Sequence, residues 1–185
     1  MIETIKAIET PIKEKVEVTF EKDTRIDLDF PLHEVPIDGE KKKYLSLEES
    51  FDEISDEERK IYDDANVEAN EVNDRECLTR TDIDYEAVDG RGRTNLERMS
   101  DGKPPLIDGK PVELHHIGQK QDAPLAELTQ TEHRGPGNDG ILHDKTNVSE
   151  IDRNEFKKER EQHWKARAEE IITERGESNV IYRKD

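Results

Sequence analysis

The chain has 185 residues, which fits one domain, or one domain with an extension. Its formal net charge of −18, with 41% charged and 30% hydrophobic residues, excludes the overall basic footprint of a general nucleic-acid binder. No apolar run approaches the roughly 20 residues that span a bilayer, and a lone Cys77 excludes an internal disulfide or a cysteine metal cluster.

Residues 1–10 mix apolar and charged side chains without a signal-peptide core, so no export address is expected in the chain. Cys77 reads as a buried small residue. The charge is uneven. Residues 1–76 hold 11 Lys and Arg against 24 Asp and Glu, a net of −13, and the remainder carries −5. The acid therefore lies away from most histidines, and a local basic groove with a divalent metal can still hold a phosphate.

Residues 1–45 are predicted to form short strands and turns. Val16, Val18 and Phe20 alternate, as do Ile26, Leu28 and Phe30, and Pro31, Pro36 and Asp38-Gly39 mark turns. Residues 46–76 are predicted helical. Ser46 with Glu49, and Ser55 with Glu58, have capping-box spacing, and Ile61, Ala65, Ala69 and Val72 recur at helical spacing. This segment is expected to pack on the rest and to carry no chemistry. The division is placed at an acidic region 1–76 and a second region 77–185.

From residue 78, Arg80, Arg91, Arg93 and Arg98 bring positive charge, and Thr94 with Glu97 predicts a short capped helix. Turns at Asp101-Gly102, Pro104-Pro105 and Asp108-Gly109 lead into a strand over 112–116, with a returning strand over 125–128. Thr129 and Glu132 then place His133 in the first turn of a helix that Gly135-Pro136-Gly137 ends. A last helix opens at Ser149 and Asp152 and runs to about Arg175, with Gly176 as its stop. Phe156, Trp164, Ala168, Ile171 and Ile172 supply its apolar face, and Arg153, Lys157, Lys158, Arg160, Lys165 and Arg167 make its early turns basic.

The chemistry concentrates in Glu113-Leu114-His115-His116. On a strand, neighbouring side chains point to opposite faces, so one imidazole can bind a metal while the next faces substrate. Phosphodiester hydrolysis needs a base for water, a counter-charge for the phosphate and stabilisation of the leaving oxygen. A neutral imidazole suits the first need and one divalent metal the other two. His115 is the candidate ligand and His116 the candidate base. Glu113 shares a face with His115, where it is placed to orient an imidazole. His133 is the natural further ligand, and His143 and Asn138 compete for the remaining position. A structural zinc site with the same ligands is the non-catalytic alternative.

The segments GKPVELHHIGQK (109–120), PLAELTQTEHRGPGN (124–138), ILHD (141–144), IDRNEF (151–156) and HWKARA (163–168) follow one another through the C-terminal half. In that order and spacing they resemble the LHH nuclease domain of the HNH/endonuclease VII superfamily of ββα-metal nucleases, found mostly in bacterial polymorphic toxins. The resemblance implies an α+β fold with a ββα-metal core over 77–185 and flanking helices. The acidic region 1–76 lies outside it and is expected, from the sequence alone, as short strands and helices packed on it. The resemblance also implies a metal-dependent endonuclease in which His116 activates water, with Glu113 beside it in the catalytic set. His115, His133 and His143 or Asn138 would hold one divalent ion, Zn, Mg, Mn or Ni. Arg134 and Arg153 would contact substrate. The implied partners are nucleic acid, with DNA favoured over RNA, and a cognate immunity protein. The implied place of action is the cytoplasm of a target bacterial cell, with no membrane association. An RNase of the same fold, a zinc-containing nucleic-acid-binding module and a protein-interaction module are the competing readings.

Overall fold

Residues 44–146 and 149–176 are described in the computed structural model. The strands expected within 15–21 and 25–30, and the turns at Pro31, Pro36 and Asp38-Gly39, lie outside the described residues. The described chain opens with two capped helices. α1 (Leu47–Glu53) has the full capping box of Ser46 and Glu49. α2 (Asp56–Asp64) is capped by Ser55, whose hydroxyl accepts from the Glu58 N–H, but the Glu58 carboxylate does not return to the cap.

The helix expected through residue 76 stops at Asp64. Val67–Val72 (β1) and Arg75–Arg80 (β2) instead pair as an antiparallel hairpin, so Ala69 and Val72 sit on a strand. Asn73 and Asp74 both take positive φ, 55° and 60°, as the tight hairpin turn requires of its two central residues. The helical spacing of the apolar residues was a weaker influence than strand pairing and this turn. The hairpin crosses the division expected at residue 76. All described residues lie in one unit that runs over Lys41–Asp185.

Farther on, α3 (Asn95–Ser100) has the predicted capping box of Thr94 and Glu97. A two-residue hairpin, β3 (Leu106–Ile107) with β4 (Lys110–Pro111), turns at Asp108-Gly109. β5 (Glu113–His116) and β6 (Leu125–Leu128) are antiparallel, as expected, and β6 pairs in parallel with β2. The sheet order is β1-β2-β6-β5, which leaves β5 at an edge. α4 (Gln130–Arg134), α5 (Asn138–Leu142) and the long α6 (Arg153–Glu174) complete the α+β fold. Among the described residues, no helix is long and apolar enough to cross a membrane.

Strand alternation divides the core into two layers. Leu114 and Leu125 pack with Val72, Met99, Trp164 and Ile171 on the α6 side. Ala126 and Leu128 pack with Ile61, Tyr62, Ile117 and Leu142 on the other. Trp164 is buried core, and so is Cys77, whose thiol is pushed up to about 12 by burial. In β5 the same alternation aims His116 with Leu114 at α6. It aims Glu113 and His115 at α2, α4 and α5.

Candidate metal centre and active site

Three histidines from separate elements converge: His115 on β5, His133 on α4 and His143 just past α5. One ligand nitrogen from each lies within 4.8 Å of the others. His133 Nε2 and His115 Nδ1 are 3.2 Å apart. Two nitrogens bound at 2.0–2.1 Å to one tetrahedral ion lie about 3.3 Å apart, so the donor set and its spacing fit a divalent metal. Burial pushes the His115 imidazole below its usual range. Burial, then the neighbouring His115 and His143, lower His133 to about 4 against the pull of Glu113. Both shifts favour the neutral imidazole, the form that accepts a metal.

Carboxylates meet the far nitrogens of these rings. Glu113 Oε2 lies 2.7 Å from His133 Nδ1, and His143 Nδ1 lies 3.1 Å from Asp139 Oδ1 and 3.2 Å from the Asp139 backbone carbonyl. Burial pushes the Glu113 carboxyl up, but the Arg134 guanidinium and His133 more than offset it and leave it lowered. Arg134 also donates from Nε to Glu113 at 2.8 Å. α4 is itself anchored. Thr129 and Glu132 form its capping box, and Glu132 accepts from the buried Arg80 of β2 at 2.5 Å.

The break at Gly135-Pro136-Gly137 decides how the later histidine arrives. α4 ends, the chain turns at Gly137 with φ 94°, and α5 starts at Asn138. The new direction carries His143 back to ring-centroid distances of 4.8 Å from His133 and 5.3 Å from His115. The Asn138 side-chain amide donates to the Glu132 carbonyl at 2.8 Å, so it closes the α4–α5 turn. The arrangement brings His143 to the cluster, while the Asn138 amide bonds to backbone.

His116 is buried on the α6 side, its ring centroid 4.4 Å from that of Phe156 and its Nε2 3.5 Å from Glu159 Oε2. Glu159 is braced in turn by Arg75 at 3.5 Å and Gln121 at 3.5 Å. All four histidines line one cleft of 660 Å³, with Lys103, Arg134, Arg153, Lys157 and Arg160 on its walls. Arg153, Lys157 and Arg160 follow i, i+4, i+7 spacing, which puts them on one face of α6. The expected substrate contacts Arg134 and Arg153 thus lie at the cleft. Glu113 also lines it, with its carboxylate turned to His133 and Arg134.

Glu58, Asp139 and Glu159 were missed by sequence reasoning. Asp139 carried a usable signal, four residues before His143 on a helix. Glu58 carried a misleading one, because its spacing from Ser55 assigned it to a cap. Below the site, Glu127 of β6 is fully buried. It meets His163 Nε2 at 2.8 Å, Arg167 Nε at 3.1 Å and the Arg80 N–H at 2.9 Å, and this tethers α6 to the sheet.

Residues 94–170 match a family model described as LHH, a nuclease of the HNH/ENDO VII superfamily with conserved LHH. The match takes in His115, His116, His133 and His143 and leaves α1, α2, β1 and β2 outside it. No solved structure matches the chain.

Proposed function

We propose, from the LHH domain of the HNH/ENDO VII nuclease superfamily that residues 94–170 form, that this protein is a metal-dependent endonuclease, with DNA as its favoured substrate. The observation that carries the reading is the convergence of three imidazoles beside a fourth, His116, in a cleft walled by Lys and Arg. His115, His133 and His143 would hold the ion. When bound, it would supply Lewis-acid neutralisation of the scissile phosphate and of the leaving oxygen. An all-imidazole donor set suits zinc or nickel better than magnesium.

The chain's own groups account for the rest. His116 takes a proton from the attacking water, and the Glu159 carboxylate beside it favours the imidazolium that results. Glu113 and Asp139 hold His133 and His143 in register. Arg134, Arg153, Lys157 and Arg160 contact phosphates, which positions the strand without reading its bases. The working unit in this proposal is residues 44–176, since the sheet that carries the site needs β1 and β2. Its resemblance to toxin nucleases supports a bacterial effector role with an immunity protein as partner, acting in a target cell's cytoplasm.

The test is cleavage of plasmid DNA and of RNA by the purified chain with Zn²⁺, Ni²⁺, Mn²⁺ and Mg²⁺, beside His116→Ala. The expected result is metal-dependent DNA cleavage by the wild type, with a folded, metal-binding variant reduced by about 100-fold or more. Cleavage that survives intact in the variant would remove His116 as the base, and preferential RNA cutting would replace DNA as substrate.

A further inference from the structure

His115 has one polar atom that the cluster does not use. Its Nδ1 faces His133, but its Nε2 is buried and has no hydrogen-bond partner among the described residues. Opposite it, at 3.7 Å, is Oε1 of Glu58 on α2. Glu58 is buried as well, and that oxygen is held from two sides. The Tyr62 hydroxyl donates to it at 2.7 Å and the Gly118 backbone N–H at 2.9 Å. Gly118 is shaped for this. Its φ is +64°, and a side chain there would meet Ile54 Cγ2 at 3.1 Å. Neither donor is charged, and an ionised carboxylate in the interior calls for a positive counterpart.

The other two rings show what such a carboxylate does. Glu113 faces the far nitrogen of His133, and His143 Nδ1 meets both the backbone carbonyl of Asp139 at 3.2 Å and its carboxylate at 3.1 Å. A carboxylate in that position fixes the tautomer and ring orientation and raises the basicity of the ligating nitrogen. We propose that Glu58 is the third positioning residue of the metal centre, a carboxylate supplied by α2 from outside the matched region 94–170 that sets the metal affinity of the cluster through His115. The inference rests on the reading of the three histidines as a metal site. It gives the helices before the hairpin a function: the Glu58 carboxylate does not return to the Ser55 cap but turns inward to Tyr62 and Gly118.

Zn²⁺ affinity of the full chain, measured by competition with a chromophoric chelator, tests this, with Co²⁺ absorption bands as a report on ligand geometry. Glu58→Gln keeps an oxygen that accepts from Tyr62 and Gly118, so the melting temperature of the metal-free protein should stay near wild type. Its Zn²⁺ affinity should fall by about 10- to 100-fold. In a His115→Ala background the same change should cost nothing further. Wild-type affinity in Glu58→Gln, or a full loss that persists without His115, overturns the proposal. If Glu58→Gln does not fold, Tyr62→Phe decides. It keeps the carboxylate but releases one of its holders, so a loss of about 3-fold or more supports the role and unchanged affinity overturns it. A wild type that binds neither Zn²⁺ nor Co²⁺ removes the metal-site reading itself, and the inference with it.

Discussion

Glu113 and His133, twenty residues apart in the chain, meet at 2.7 Å between Oε2 and Nδ1. The carboxylate that opens the Glu-Leu-His-His strand therefore orients an imidazole on the helix after the hairpin. In the proposed reading it contributes through a ligand instead of acting on water. Glu113→Gln should weaken Zn²⁺ binding by about 10- to 100-fold while far-ultraviolet circular dichroism stays unchanged. A variant with wild-type affinity and impaired cleavage would return Glu113 to a direct catalytic role.

His143 and Asn138 separate cleanly by mutation. His143→Ala should lower metal affinity by more than about 100-fold, beyond the usual effect of an orienting residue. Asn138→Ala loses the hydrogen bond to the Glu132 carbonyl and should cost about 1 kcal/mol of stability, with metal binding retained. Chelator competition and urea denaturation on both variants check this. The reverse pattern would make Asn138 the ligand.

Glu127 makes stability depend on acid. Burial pushes its carboxyl up, but His163 and Arg167 more than offset it and leave it below the ordinary value. A carboxyl lowered on folding contributes stability that is present above its unfolded value, about 4.3. That contribution is lost as pH falls through the lower folded value. The urea midpoint of the wild type should therefore drop on acidification below about pH 4.3, and Glu127→Gln should drop less. At pH 7 the variant should be less stable by about 3 kcal/mol, since it leaves Arg167 without its buried partner. Parallel acid profiles for the two proteins would contradict this account.

The basic face of α6 should act on nucleic acid without regard to sequence. Arg153→Gln and Lys157→Gln should each raise the KM for DNA while leaving kcat within about 3-fold, and each should reduce the slope of log affinity against log salt by about 1. Titrations at several salt concentrations on two unrelated duplexes would show it. A loss confined to one duplex would point to base readout instead.

Much of the site was legible in advance because its signals are local. The capping boxes at Thr94 and Thr129 depend on residues three apart, and both formed. The alternation in 113–116 already put His115 and His116 on opposite faces, and register with β6 kept it so. Segment 65–76 was misread because Ala65, Ala69 and Val72 carry a helical period. What overrode it, pairing of β1 with β2, is a contact between strands that no local window contains.

The sequence by itself determined which residues would gather at the candidate site: adjacent histidines on a strand, a third in a capped helix turn, and a basic face on the last helix. Spacing and residue type suffice there, since caps, turns and strand alternation act over a few residues. The tertiary structure alone decided which of His143 and Asn138 turns to the cluster, because the break at Gly135-Pro136-Gly137 redirects the chain through torsion angles that residue spacing does not express. It alone brought Glu58 and Glu159 to the histidines, from α2 and α6. Those carboxylates lie 57 and 43 residues from the rings they face, and over such separations packing of elements, not local preference, sets who meets whom.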